Sequence, residues 1–148
     1  MVDMVGDVLI RAIPSQKIEQ CFVGSMYGPE GRDADLNIWL SENQPAGEEE
    51  LMIVFDFNDL APVKDIVSPH VMPVPAQIED LIDRTEKGER TNLLIDGSPN
   101  HFFVKTERQD KGGIALLIVF KKKDGLWQVS LSTCGFTSAK LRSGRFFC

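Results

Sequence analysis

The sequence predicts an α+β fold: an antiparallel β-sheet meander with one main helix packed against it, plus a smaller N-terminal β-containing part. Three observations predict it. Between Asn100 and Thr133, three apolar-rich runs of strand length are separated by turn chemistry at 109–113 and at Asp124-Gly125. Upstream, PAQIEDLIDRTEKGE places Ile78, Leu81 and Ile82 on one helical stripe. Further upstream, DLNIWLSEN and ELMIVFDFNDL show the period-two alternation of half-buried strands.

The Asp-Gly pair is the strongest local signal, because a two-residue type I′ turn needs positive φ at both central positions. Counting outward from such a loop puts Lys123 opposite Leu126, Phe120 opposite Val129 and Ile118 opposite Leu131. Side chains alternate along a strand. The expected core face is therefore Ile114, Leu116, Ile118 and Phe120 with Trp127, Val129 and Leu131. The other face carries Ala115, Leu117, Val119 and Lys121 with Gln128, Ser130 and Ser132, a mixed surface on which a site can sit.

The remaining elements follow in order. DVLIRAI precedes a break at Pro14, and Ser15 suits a cap for a short helix from Gln16. GSMYGPEGRDAD, with three glycines and a proline, reads as a loop. Strands are expected at 36–41 and 50–60. Pro62, Pro69, Pro73 and Pro75 interrupt 61–75, since proline lacks a donor and restricts its predecessor. Pro75 suits a helix start and Gly88 a helix stop, giving a helix over 76–88. Leu93 to Ile95 reads as a short strand and DGSPN as a turn. Strands are then expected at 101–106, 113–123 and 126–133, before a short turn or helix and a final Arg-Phe-Phe segment.

At 148 residues the chain is expected to form a single domain, 1–148, with an acidic N-terminal lobe over 1–61 and a basic sheet lobe over 76–148. Residues 1–97 hold 7 Lys and Arg against 19 Asp and Glu, a balance of −12. Residues 98–148 hold 9 against 3, or +6, so the whole carries −6. Such asymmetry points to an anionic partner for the C-terminal half, or to two halves that attract each other. No apolar run is long enough for a membrane helix, and MVDMVGDVLIRAI lacks the basic start of a secretory signal. Cys21, Cys134 and Cys148 are an odd, scattered set that fits reduced thiols in a cytoplasmic protein. No cofactor and no metal site are expected.

No phosphate loop, dinucleotide fingerprint, zinc-protease helix or nucleophile elbow occurs. What remains is His101 and Lys105 on one face of the NHFFVK strand, roughly 13 Å apart. Lys121, Ser130, Ser132, Thr137, Ser138, Arg142 and Arg145 add hydroxyls and positive charge nearby in sequence. Histidine moves protons near neutral pH, and Lys or Arg stabilises a phosphorane-like transition state. A metal-independent ribonuclease needs this inventory, because the RNA 2′-hydroxyl is itself the nucleophile.

The H-x-x-x-K strand, the V-F-K-x-x-D-G-x-W-x-V hairpin and the terminal T-S-x-K-L-x-x-G-R-x-F follow a helix. This arrangement resembles the barnase, EndoU, colicin and RelE-like ribonucleases associated with toxins and phages, over residues 76–148. The resemblance implies His101 as the acid and base, with Lys105 and Arg142 on phosphate and Thr137 or Ser138 positioning it. Lys121, Ser130, Ser132 and Arg145 complete the expected RNA-binding set. The alternative is a non-enzymatic binding protein (an immunity protein, inhibitor or phage accessory protein) whose exposed carboxylates mask a basic partner. The expected partner is thus RNA or a basic protein.

Overall fold

A computed structural model describes residues 2–14, 21–22, 26–32, 46–57, 61–62, 71–105, 114–132, 140–141 and 144–148. The strands are β1 (Val2–Ile10), β2 (Tyr27–Arg32), β3 (Glu50–Phe57), β4 (Ala61–Pro62), β5 (Asn100–Lys105), β6 (Ile114–Lys121), β7 (Trp127–Ser132), β8 (Lys140–Leu141) and β9 (Gly144–Phe147). The helix, α1, spans Pro75–Glu86. Seven strands form one mostly antiparallel sheet in the order β1-β3-β9-β5-β6-β7-β2, and β4 pairs with β8 separately. The fold is α+β, as the sequence predicts. The expected strand at 36–41, the helix from Gln16 and the turn at 109–113 lie outside the described residues.

Helix α1 has a local cause at each end. Pro75 occupies the first turn, where its missing N–H costs nothing. The Gln77 side chain accepts the Val74 N–H at 3.0 Å and donates to the carbonyls of Arg11 and Glu48, stapling the start of the helix to the chain around β1 and β3. At the far end Gly88 adopts φ +90°, with Gly88 N–H donating to Thr85 O and Glu89 N–H to Arg84 O. Those two bonds make a Schellman stop, which glycine permits without a Cβ clash. The face bearing Ile78, Leu81 and Ile82 is fully buried against the sheet.

The hairpin between β6 and β7 forms with a register one residue away from the expected one. Lys121 lies opposite Trp127, Val119 opposite Val129 and Leu117 opposite Leu131. The loop holds three residues, Lys123-Asp124-Gly125, closed by Lys122 N–H to Leu126 O and Gly125 N–H to Lys122 O. Gly125 sits at φ +84°, and Asp124 Oδ1 accepts the Leu126 N–H. This geometry is a type I turn followed by a left-handed glycine, the three-residue alternative to the two-residue turn. A one-residue slip turns every side chain of a strand over. Leu117, Val119 and Lys121 therefore join Trp127, Val129 and Leu131 on the helix side. Leu116, Ile118 and Phe120 join Gln128 and Ser130 on the outer side.

Three further elements differ from expectation. Residues 27–32, expected to be loop, form β2, parallel to β7. Leu93 to Ile95 is not a strand. Instead the fully buried Asn100 side chain accepts the Leu94 N–H and donates to Leu94 O and Val119 O, imitating a strand neighbour for that segment. The sheet is also not a simple meander, because the Arg-Phe-Phe end of the chain inserts as β9 between β3 and β5, parallel to β5. Acidic N-terminal strands and basic C-terminal strands thereby share one sheet.

The main core lies on the helix side: Val8, Ile10, Met52, Val54, Phe102, Val104 and Phe147 pack with Trp127 and the helix stripe. Each such side chain contributes roughly 1.5–3 kcal/mol by leaving water.

Candidate functional site

Strand alternation splits the sequence-predicted site between the two sides of the sheet. His101 lies directly between Phe146 and Ile118, and Ser130 is the next residue along that row. These four are on the outer side. Arg145 and Lys121 project to the helix side, beside Asn100 and Trp127 respectively. A substrate on one side of the sheet cannot touch both groups through the sheet.

His101 is 3% exposed. Its ring stacks on Phe146 at 4.6 Å between centroids. Nδ1 lies 3.1 Å from the Arg145 carbonyl, which can only accept, so the proton of the neutral ring is on Nδ1. Burial drives the imidazole pKa down to about 4, against a smaller upward pull from the carbonyl. A group held there is neutral at pH 7 and far from the poise a general acid and base needs. Gly144 explains the close fit: a Cβ at that position would stand 2.6 Å from His101 Cε1.

Of the expected site cations, the two with described side chains each have a carboxylate partner. Arg145 donates from Nε and Nη2 to Asp56 at 2.7 and 3.0 Å, and from Nη1 to the Asn92 carbonyl at 2.8 Å. This bidentate fork ties β9 to β3 and to the chain beyond α1. Lys121 Nζ lies 2.9 Å from Glu86 Oε1, which also accepts the Trp127 indole N–H at 2.6 Å. The two contacts hold the Glu86 carboxyl below its usual range. Ser130 is half-buried. The backbones of Lys105 and Ser132 are in β5 and β7, but their side chains, and Thr137, Ser138 and Arg142 altogether, lie outside the described residues. Among the described residues no group of three or more His, Cys, Asp or Glu is arranged to hold a metal ion. No helix among them is long and apolar enough to cross a membrane.

A different surface stands out at the β1–β3 end of the outer side. Met4 pairs with Phe55, Asp7 with Ile53 and Leu9 with Leu51, so all six share that side. Met4, Leu9 and Leu51 are 65%, 42% and 52% exposed, and the bulge residue Val5 is exposed beside them. Asp7 is exposed between Met4 and Leu9, and Glu48, Glu49 and Glu50 are exposed where the chain runs into β3. The sequence-predicted site does not include this patch. The available signal was apolar character at Leu9 and Leu51, on the strand face opposite Val8 and Met52, which demands either a second covered side or an open apolar one.

The free edge of β1 is capped as well. The carbonyls of Asp7, Leu9 and Arg11 accept from Asn92 Nδ2, Arg84 Nη1 and Gln77 Nε2. These successive outward-facing acceptors are thus satisfied by side chains from α1 and the residues after it, which blunts the edge against strand addition. Comparison of the chain with protein-family models, curated proteins and solved structures found no match.

Proposed function

We propose that this chain is a non-enzymatic binding protein whose acidic surface masks a basic region of a protein partner. The observation behind this reading is an exposed carboxylate set at the start of the chain and ahead of β3, with the two described cations of the expected RNA site already paired. Arg145 and Lys121 are tied to carboxylates within the fold, whereas Asp7, Glu48, Glu49 and Glu50 stand in solvent. A net charge of −6 adds long-range attraction for a basic surface and repulsion for RNA. The neutral, enclosed His101 supports the same choice over the ribonuclease reading, whose proton carrier it would have to be.

The test has two arms. Wild-type protein is incubated with labelled RNA in EDTA, and its association with polylysine is measured across a salt series. The expected result is intact RNA, with polylysine binding that weakens as salt screens the attraction. RNA cleavage leaving a 2′,3′-cyclic phosphate, and falling about 100-fold or more in His101→Ala, would overturn the proposal in favour of a metal-independent ribonuclease.

A further inference from the structure

The outer side of β1 and β3 combines three properties that together select a ligand. It is apolar: Met4, Leu9 and Leu51 keep about half their surface in water, although large aliphatic side chains are normally covered. It is flanked by exposed carboxylates: Asp7 on the same side of β1, and Glu48 and Glu49 just ahead of β3, whereas Glu50, opposite the buried Ile10, belongs to the helix side. Among the described residues, the cations beside β1 are already paired: Arg11 with Asp80, and Arg84 with Glu89 and the Leu9 carbonyl. Its edge is also occupied over 7–11, where Asn92, Arg84 and Gln77 donate to the carbonyls of Asp7, Leu9 and Arg11. A partner strand cannot add beside Asp7 and Leu9 without displacing them, so a ligand that uses Leu9 and Leu51 lies across the face.

We infer that this face is the docking site for a basic protein segment that alternates apolar side chains with Lys or Arg, the apolar ones seated on Leu9 and Leu51 and the cations on Asp7 and on Glu48 and Glu49. The inference rests on the proposed binding function and names its surface. Charge complementarity decides the occupant. A second copy of this chain would bring the same carboxylates against each other, and like charges across an interface oppose association. An anionic nucleic acid or lipid surface is disfavoured for the same reason. Apolar contact supplies the affinity at the centre, and the charged rim supplies selectivity and speed of encounter.

The test uses a synthetic peptide of alternating Leu and Lys, with an alternating Leu and Glu peptide as control. Binding is read by fluorescence anisotropy for the wild type, Asp7→Lys and the double variant Leu9→Ser with Leu51→Ser. Amide shift changes are mapped on the wild type. The wild type is expected to bind the cationic peptide and not the acidic one, with shifts concentrated in 4–10 and 49–55. Both variants are expected to lose about tenfold or more in affinity while their thermal unfolding stays cooperative. Unchanged binding in the double variant, or shifts elsewhere, overturns this site while leaving the basic-partner function standing. Failure of the wild type to bind the cationic peptide overturns this site, and the basic-partner function falls with it only if polylysine also fails to bind. Concentration-dependent dimerisation abolished by the double variant also overturns the inference, by making a second copy the occupant. Should the double variant misfold, the wild-type shift map decides alone.

Discussion

The outer side of the sheet has two ends built from similar residues with opposite surroundings. Over β5 and β9, His101, Phe103 and Phe146 are sealed from water. Over β1 and β3, Met4, Leu9 and Leu51 are exposed, and Phe55, which pairs with Phe146, is intermediate. Apolar character therefore does not tell which end is core. At the sealed end the residues act on stability, and a titratable one among them loses its ordinary chemistry. At the open end similar residues are free to act on a partner. The histidine that looked most like chemistry in the sequence sits at the sealed end.

The largest expected effect comes from deleting a sealed aromatic. Phe146→Ala should cost about 3–5 kcal/mol, since it removes a fully buried ring that touches His101 and leaves a cavity. Urea denaturation is the measurement, and a cost below about 1 kcal/mol would break the contrast between the two ends.

Acid should act through the same end. His101 in the folded chain titrates at about 4, against about 6.5 in the unfolded chain. Above pH 6.5 neither state is protonated and the folded state is unpenalised. As pH falls toward 4 only the unfolded chain takes up the proton, so stability drops by up to about 3 kcal/mol. Denaturation at a series of pH values should show this slope, and His101→Phe should flatten it. An unchanged slope in that variant would show that His101 is not the group responsible.

Gly144→Ala should destabilise by about 1–3 kcal/mol, because its Cβ would collide with His101 and crowd the Pro99 carbonyl at 3.0 Å. The cost should shrink when His101→Ala is combined with it, and strict additivity in this double-mutant cycle would reject the contact. At the open end, Leu51→Ser should change stability by less than about 0.5 kcal/mol. A loss comparable to that of Phe146→Ala would show that Leu51 is covered in solution.

Much of the local architecture was legible. Pro75, the 78–81–82 stripe and Gly88 predict α1 to within two residues, because caps and helical period are properties of adjacent residues. Asp124-Gly125 likewise marks the hairpin. Its register was not legible, for a specific reason. Asp-Gly suits both a two-residue and a three-residue loop, and β6 reads IALLIVF, apolar on both faces. The usual arbiter, one apolar face and one polar, was missing on that strand. With the loop one residue longer, Lys121 moved to the helix side and the expected His101, Lys121 and Ser130 surface came apart. The 27–32 strand was missed because glycine and proline there outweigh alternation, while pairing with β7 decided the outcome.

From its own sequence this protein has its element types, its turns, its charge asymmetry and the set of residues available for chemistry, since each depends on near neighbours or on composition. Only the tertiary structure decides which apolar face is covered. It places β9 between β3 and β5, which stacks Phe146 on His101 and joins Arg145 to Asp56. It also brings α1 and the residues after it to cap the edge of β1. Those contacts join residues tens of positions apart, and burial is set by what packs over a side chain. Period and propensity describe only the strand to which that side chain belongs.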